Sequence, residues 1–521
     1  MNENELTRRQ VVSMAGLGSL AVAVGGPGAA SAGSKLFSSR SKSVKGTFDD
    51  GTDEILGGLQ GRRGRVIVVG AGMAGLSAAN ALRNAGVETV VLEGRSRIGG
   101  RTHTENVGGT PVDLGAAWVH RPINNPMSAY AEQAGVNLVP ASPELDVATL
   151  LLYDGKSGPV PNDSKFTAFM NALQFYERSR GIGRELGNRA TLEDGAARFL
   201  DEIGLTGNDR RWASFIIQTY SELGYAKDWG TQPLNPPAST RPRPTPNHPS
   251  YEGFGMGDFP SGGYGRIVKS LASGSDIRRN HNVTEIKRSK GKVEVTAVVT
   301  KKGKKKKVIF EGTHVLVAVP LGVLKAHSIK FSPPLPKTKL GAVRRLGFGN
   351  VEKVAMTFER PFWQDEGTTH LLHVGKKDSG HFPLIIDLQR FVGKPTLVAF
   401  NGGAMARSLD GKKPQQVREE AMDVLRQVYG RRALKPEEVA VTNWLNDPFS
   451  RGSYSATVMK TKGDDRALLA DPVGGRILFA GEATNFSGRA STADGAMSTG
   501  IREAKRLLQT PCVQLGARSA Q

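Results

Sequence analysis

The chain has a single cysteine, Cys512, so it can form neither an intramolecular disulfide nor a cysteine-rich metal site. Its one N-terminal candidate for a membrane span, Val11 to Val24, is too short and too rich in glycine to cross a bilayer. Aromatic residues make up only 7% of the chain. None of them interleaves with the lysine run Lys301 to Lys307, which is broken only by Gly303. That run therefore lacks the stacking platforms of a single-stranded nucleic-acid site and reads as a solvated hairpin tip. Acidic residues are also scarce, 49 against 70 basic ones, giving a net charge of +21. Such a field opposes polycationic ligands at long range, although salt screens it beyond about 8 Å. What is present is 521 residues, enough for about three domain-sized units. The 38% hydrophobic content can bury a core, and 64 glycines with 28 prolines point to a large, loop-rich α/β enzyme rather than a helical bundle.

At the N-terminus, Arg8-Arg9 precede the Val11–Val24 run, and Ala30-Ser31-Ala32 offers the small residues a signal peptidase reads. Residues 1–32 read as a twin-arginine signal peptide. The expected partner is the twin-arginine export machinery, and the expected location is periplasmic or extracellular, with no transmembrane segment in the mature protein. Cleavage after Ala32 removes two basic and two acidic residues, so the net charge stays at +21.

The first regular element is "RVIVVG", a continuous apolar run of the kind a buried parallel strand needs. It leads into a helix ending at Gly86 and then a second strand, "VETVVLE". Gly70, Gly72 and Gly75 form GxGxxG at this strand-to-helix junction, and Glu93 follows about 20 residues on. The first glycine permits the tight turn, the second lets the backbone approach a pyrophosphate, and the third lets helix and strand pack closely. The acid would bind ribose hydroxyls, so the unit implies a dinucleotide without separating NAD from FAD. Farther on, "GFGNVEKVAMTFERPFW" alternates as a half-buried strand, with Val354, Met356 and Phe358 on one face and Lys353, Ala355 and Thr357 on the other. On that stretch alone, Lys353 reads as an exposed charge on an edge strand.

Longer motifs flank these. "EGRSRIGGRTHT" and "DLGAAWVH" follow Glu93; "PLGVLK", "GFGNVEKV", "FERPFW", "DPFSRGSYS", "FAGEATN" and "STADGAMSTGIREA" are spread over the remainder. With these motifs the sequence resembles the flavin-containing amine oxidases over nearly the whole mature chain, in the branch of polyamine oxidases and lysine-specific histone demethylases. The resemblance implies an α/β fold, a Rossmann-like FAD-binding domain interleaved with an α+β substrate-binding domain. The expected division is a flexible segment 33–63, FAD-binding parts 64–125, 261–330 and 441–510, a mainly helical substrate part 126–260, a substrate sheet 331–440 and a tail 511–521.

In the fingerprint turn, Met73 and Ala74 join the glycines as implied FAD contacts. Beyond it the resemblance implies contacts from Gly94, Arg95, Gly100 and Arg101, from Gly115, Ala116, Ala117 and Trp118, and from Val283 and Trp444. Gly481, Glu482, Thr492 and Ala493 complete the implied set. It also places Lys353 beside flavin N5, reversing the reading of the strand alone. Ser453 stands where monoamine oxidases carry the cysteine that attaches flavin, so FAD is expected to be non-covalent. Tyr454 would supply one substrate wall, and Thr492 replaces the second tyrosine of the monoamine oxidases. His120 matches a histidine near the flavin in animal-type polyamine oxidases, where a structural and a substrate role are equally open.

The activity implied is hydride transfer from a small-molecule amine to flavin N5, with the imine hydrolysing to a carbonyl and O2 reduced to H2O2. A polyamine or related amine is the expected substrate. An L-amino acid oxidase is the nearest rival, but enzymes of that kind carry a carboxylate-binding arginine where Trp118 stands. Another secondary-amine oxidase or dehydrogenase also remains open. A basic flavoprotein scaffold binding nucleic acid is the rival of another class, opposed by the export signal and by the lack of a long coiled-coil insertion.

Overall fold

The computed structural model describes residues 64–509 except 121, 123–124, 141–146, 148, 238–256, 302–303, 365–368 and 377–380. The expected signal peptide, the segment 33–63, the tail 511–521 and most of the proline-rich stretch "QPLNPPASTRPRPTPNHPS", residues 232–250, lie outside the described residues.

Arg65–Val69 is buried from Val66 onward and forms the centre of a five-stranded sheet. The order is Ile477–Phe479, His314–Val317, Arg65–Val69, Glu88–Leu92, Asp276–Arg278, and every pairing is parallel. Alternate residues of the central strand face different layers. Val66 and Val68 pack with the helices Met73–Asn84, Gly265–Ala272 and Ala493–Gln509, joined by Met127 and Ala131 of Pro126–Gln133. Ile67 and Val69 instead pack with Val283, Ile286 and Val295 of a second, four-stranded sheet. A parallel sheet covered on both faces needs uninterrupted apolar strands, as "RVIVV" provides.

The lysine run belongs to that second sheet. Val293–Lys301 pairs antiparallel with Lys304–Gly312, placing Lys301 opposite Lys304, and Lys304 to Lys307 are all exposed.

The substrate side is built on a seven-stranded sheet, ordered Glu438–Val441, Val351–Thr357, Thr396–Gly402, Leu384–Asp387, His370–Val374, Leu150–Asp154, Gly158–Pro159. Helices Asn162–Leu186, Leu192–Glu202 and Gly207–Tyr225 pack on one face, and Pro414–Tyr429 on the other. Leu150–Asp154 comes from a stretch whose sequence reads as mainly helical, yet it pairs in parallel with His370–Val374. Val351–Thr357 is an interior strand, flanked by Glu438–Val441 and Thr396–Gly402. The edge-strand reading of Lys353 is therefore overturned: both faces of its strand are covered, and Lys353 is 6% exposed.

Candidate active site

The fingerprint turn is held by close backbone contact. Gly70 has a φ of +105°, and a Cβ on Gly75 would lie 1.9 Å from the Gly70 carbonyl oxygen. The helix Met73–Asn84 starts at Gly72 without a side-chain cap, so its first amides, beginning at buried Met73 and Ala74, have no side-chain partner at that end. Glu93, 3% exposed, accepts from the Ala71 amide at 2.8 Å and from the Arg95 amide at 2.8 Å. An uncapped helix start beside a buried carboxylate and a glycine cradle suits a pyrophosphate and its ribose.

The neighbouring predicted residues gather around this turn. Gly99 donates its amide to Ala71 O at 2.8 Å, and Gly100 packs against the Gly72 backbone. Gly94 lies under the Phe449 ring, while Arg95 donates to Asp447 at 2.8 Å and to Ser450 Oγ at 2.7 Å. Val283 sits at a register shift in its strand, two residues past His281, whose amide donates to Glu93 O at 2.8 Å. Trp444 faces Arg97, whose guanidinium lies 5.9 Å from the ring centroid. Burial, and then the nearby Arg95, pull the Arg97 guanidinium down to about 10. Arg97 is absent from the sequence-derived site; a third arginine in "EGRSRIGGR" was its only signal.

Arg101 ties the cofactor cradle to the C-terminal motifs. Its Nη1 donates to Glu482 Oε1 at 3.0 Å and to Ser453 O at 2.7 Å. Glu482 also accepts from Ser455 N at 3.1 Å, Ser455 Oγ at 2.5 Å and Ser491 N at 2.9 Å. Burial opposes ionisation of Glu482, but Arg101 and the buried Arg466 prevail and hold its carboxyl below the ordinary value. Its stabilising effect is thus present above the ordinary carboxylate range and is lost as pH falls. Glu482→Gln leaves two arginines without their shared counter-charge and should cost about 3–5 kcal/mol, seen as a lower denaturant midpoint at neutral pH. Gly481, at a φ of +125°, precedes it. Thr492 Oγ1 accepts from the Gly495 amide at 3.0 Å, which makes Thr492 the cap of the helix that opens at Ala493.

The segment Asp113–Trp118 passes directly over Arg101. A Cβ on Gly115 would lie 1.8 Å from Arg101 O, and the Ala116 amide donates to that oxygen at 3.2 Å. Ala117 is buried beside it. Lys353 reaches this segment from the substrate sheet: its Nζ donates to Gly115 O at 2.7 Å and to Asp113 O at 3.1 Å. The ammonium lies 5.0 Å from the Phe400 ring centroid and 5.8 Å from that of Trp118. Burial lowers the Lys353 amine to about 8, with Asp113 acting the other way.

Tyr454 donates its hydroxyl to Leu223 O, and burial, then Glu482, raise the phenol above its ordinary value. It sits between Ser453 and Ser455, the two residues bonded to Arg101 and Glu482. His120 is half-buried with its ring edge-on to Trp118, centroids 6.1 Å apart. Ser453 Oγ is occupied by the main chain of Val351, accepting from its amide at 2.8 Å and donating to its carbonyl at 2.9 Å. Two buried acids also escaped the sequence reading. Asp113 lies behind Lys353, and Glu222 is raised to about 7, mainly by burial. Asp113 stood in view in "DLGAAWVH" but resembles an ordinary strand end.

This parallel-sheet fold with its glycine cradle defines a dinucleotide-binding oxidoreductase architecture, and comparison with known proteins gives the family. Residues 73–508 match the model of flavin containing amine oxidoreductases, and the chain belongs to that family. It is 30% identical to polyamine oxidase 3 of Oryza sativa subsp. japonica, with 84% of this chain and 88% of that protein covered. It is 34% identical to lysine-specific histone demethylase 1 homolog 2 of Arabidopsis thaliana over 86% of this chain, but spans only 59% of that relative. Wild-type putrescine oxidase bound to putrescine shares the fold, with a TM-score of 0.66 at 22% identity and with 86% of this chain and 99% of that one covered. The chain spans less than two thirds of the length of the histone demethylase homologues it matches.

Proposed function

We propose that the protein oxidises a small aliphatic amine of the polyamine or a related class, using non-covalently held FAD and O2. The observation that carries this reading is Lys353: a buried amine, seated on the Asp113 and Gly115 carbonyls between Trp118 and Phe400, where the substrate sheet meets the cofactor cradle. Gly70 to Gly75, Glu93, Arg101 and Glu482 would hold FAD. When bound, FAD would supply the two-electron acceptor for hydride removal from the carbon next to the amine nitrogen; O2 would take up the electrons, and water would hydrolyse the imine product to a carbonyl. Non-covalent attachment is supported by Ser453, whose hydroxyl is engaged by the main chain where covalent attachment of the monoamine oxidase kind would require a cysteine.

The protein's part is to select and orient the neutral amine. A free alkylamine has a pKa of about 10.4, so presenting it without its proton at pH 7 costs about 4 kcal/mol. Trp118, Phe400 and Tyr454 offer apolar surface that disfavours the cation. Lys353 can position water beside the reacting centre. His120, edge-on to Trp118, would bind the substrate or manage its proton. The flavin bleaching rate with amine, measured anaerobically, should rise between pH 6 and 10. A panel of spermidine, spermine, putrescine, tyramine and amino acids tests the reading; no bleaching by any amine would overturn it. The proposal includes twin-arginine export after cofactor loading, which Arg8→Lys with Arg9→Lys should abolish in a fractionation assay.

A further inference from the structure

Asp113 ends the strand Thr110–Asp113 and is buried, 8% exposed. It accepts from the Tyr264 amide with both oxygens, at 3.1 Å each, and from Thr104 Oγ1. Tyr264, 1% exposed, also donates its hydroxyl to Trp118 O at 3.0 Å. Tyr264 therefore grips the Asp113–Trp118 segment at both ends, and the two carbonyls that seat Lys353 lie inside that span. We propose that Asp113 is a positioning residue that sets the proton affinity of Lys353 through its buried charge. This inference rests on the role given to Lys353 above.

Among the described residues, the surroundings of Lys353 leave Asp113 without a rival. From its own strand, Glu352 points to the opposite face, where Thr442 Oγ1 and the Leu445 amide bond it. From the adjoining strands come the Phe400 ring and the Thr442 hydroxyl, which accepts from the Lys353 amide at 2.7 Å. The loop after Asp113 brings Trp118, and His120 beyond it. His103 is driven neutral, down to about 4, by burial, then by Arg97 and Arg95. Among the described residues, Asp113 is the one group whose charge opposes the effect of burial on the lysine. The reciprocal holds as well: burial raises the Asp113 carboxyl to about 7, against its hydrogen bonds and the Lys353 charge. Each group thereby favours the ionised form of the other.

The test uses full-length holoprotein carrying 13Cε-lysine and 13Cγ-aspartate, titrated by NMR, with the Lys353 signal assigned by its loss in Lys353→Met. Asp113→Asn keeps the shape and removes the charge; the Lys353 titration should move down by about one pH unit or more. Tyr264→Phe loosens the clamp without changing charge and should leave that titration near its wild-type position. Lys353→Met should move the Asp113 titration upward, which tests the coupling even if Asp113→Asn does not fold. An unmoved Lys353 titration in Asp113→Asn, an equal displacement in Tyr264→Phe, or an unmoved Asp113 titration in Lys353→Met would overturn the proposal. The amine panel is read separately: inert amines together with a displaced Lys353 titration would sink the oxidase reading and leave the Asp113 assignment standing.

Discussion

Lys353→Met should yield a folded, yellow protein that turns over its best amine about 10²–10⁴-fold more slowly than wild type, the range lost when a positioned proton-handling group is removed. Methionine fills similar space between Trp118 and Phe400, and it removes a buried amine that is costly to protonate. Two carbonyls, Asp113 O and Gly115 O, lose a donor, at roughly 1–3 kcal/mol for each left unsatisfied. Because the folded-state value of Lys353, about 8, lies below that of an unfolded lysine, wild-type stability gains with rising pH between about 8 and the ordinary lysine value. That slope should weaken in the variant. Peroxide release, flavin absorbance and denaturant melts at several pH values measure all three effects; unchanged turnover would remove Lys353 from the mechanism.

Gly115→Ala should produce colourless protein. The added carbon would sit 1.8 Å from Arg101 O, which is backbone and cannot rotate away. The crossing of the two segments has to open, at about 1–3 kcal/mol for overpacking of this kind. Its location makes the functional loss larger than that figure implies. Arg101 reaches Glu482 and Ser453 on one side of the crossing, and Gly115 O seats Lys353 on the other. One methyl group therefore disturbs cofactor retention and lysine placement together. Flavin content per chain after gel filtration is the measurement, and wild-type content would refute the steric argument.

The legible parts of this site are those whose meaning is local. The strand, glycine turn and helix from Arg65 to Asn84 lie within one stretch, and each residue type has a backbone reason for its place. Glu93 was legible for the same reason: it directly follows the next strand and accepts from the Ala71 amide. Lys353 was visible as a break in an alternating pattern, but its burial was not, because the segment that covers its side chain, Asp113–Trp118, lies far back along the chain. Leu150–Asp154 escaped for a similar reason, since its partner strand begins at His370. Asp113 was hidden by its ordinary setting: only the amide of Tyr264 and the side chain of Thr104 show that the carboxylate points inward. Thr492, expected at the cofactor and substrate wall, carries a second duty as helix cap that no motif records.

The parallel sheet under the nucleotide cradle begins at Arg65 and receives its last strand only at Ile477–Phe479. Each of its later strands arrives after a long excursion, so closing the sheet means closing large loops. On the ribosome, the early βαβ unit must wait for almost the entire polypeptide before its outermost neighbour exists. Prematurely terminated chains should thus expose an unfinished sheet edge and become substrates for chaperones and proteases rather than half-working enzymes.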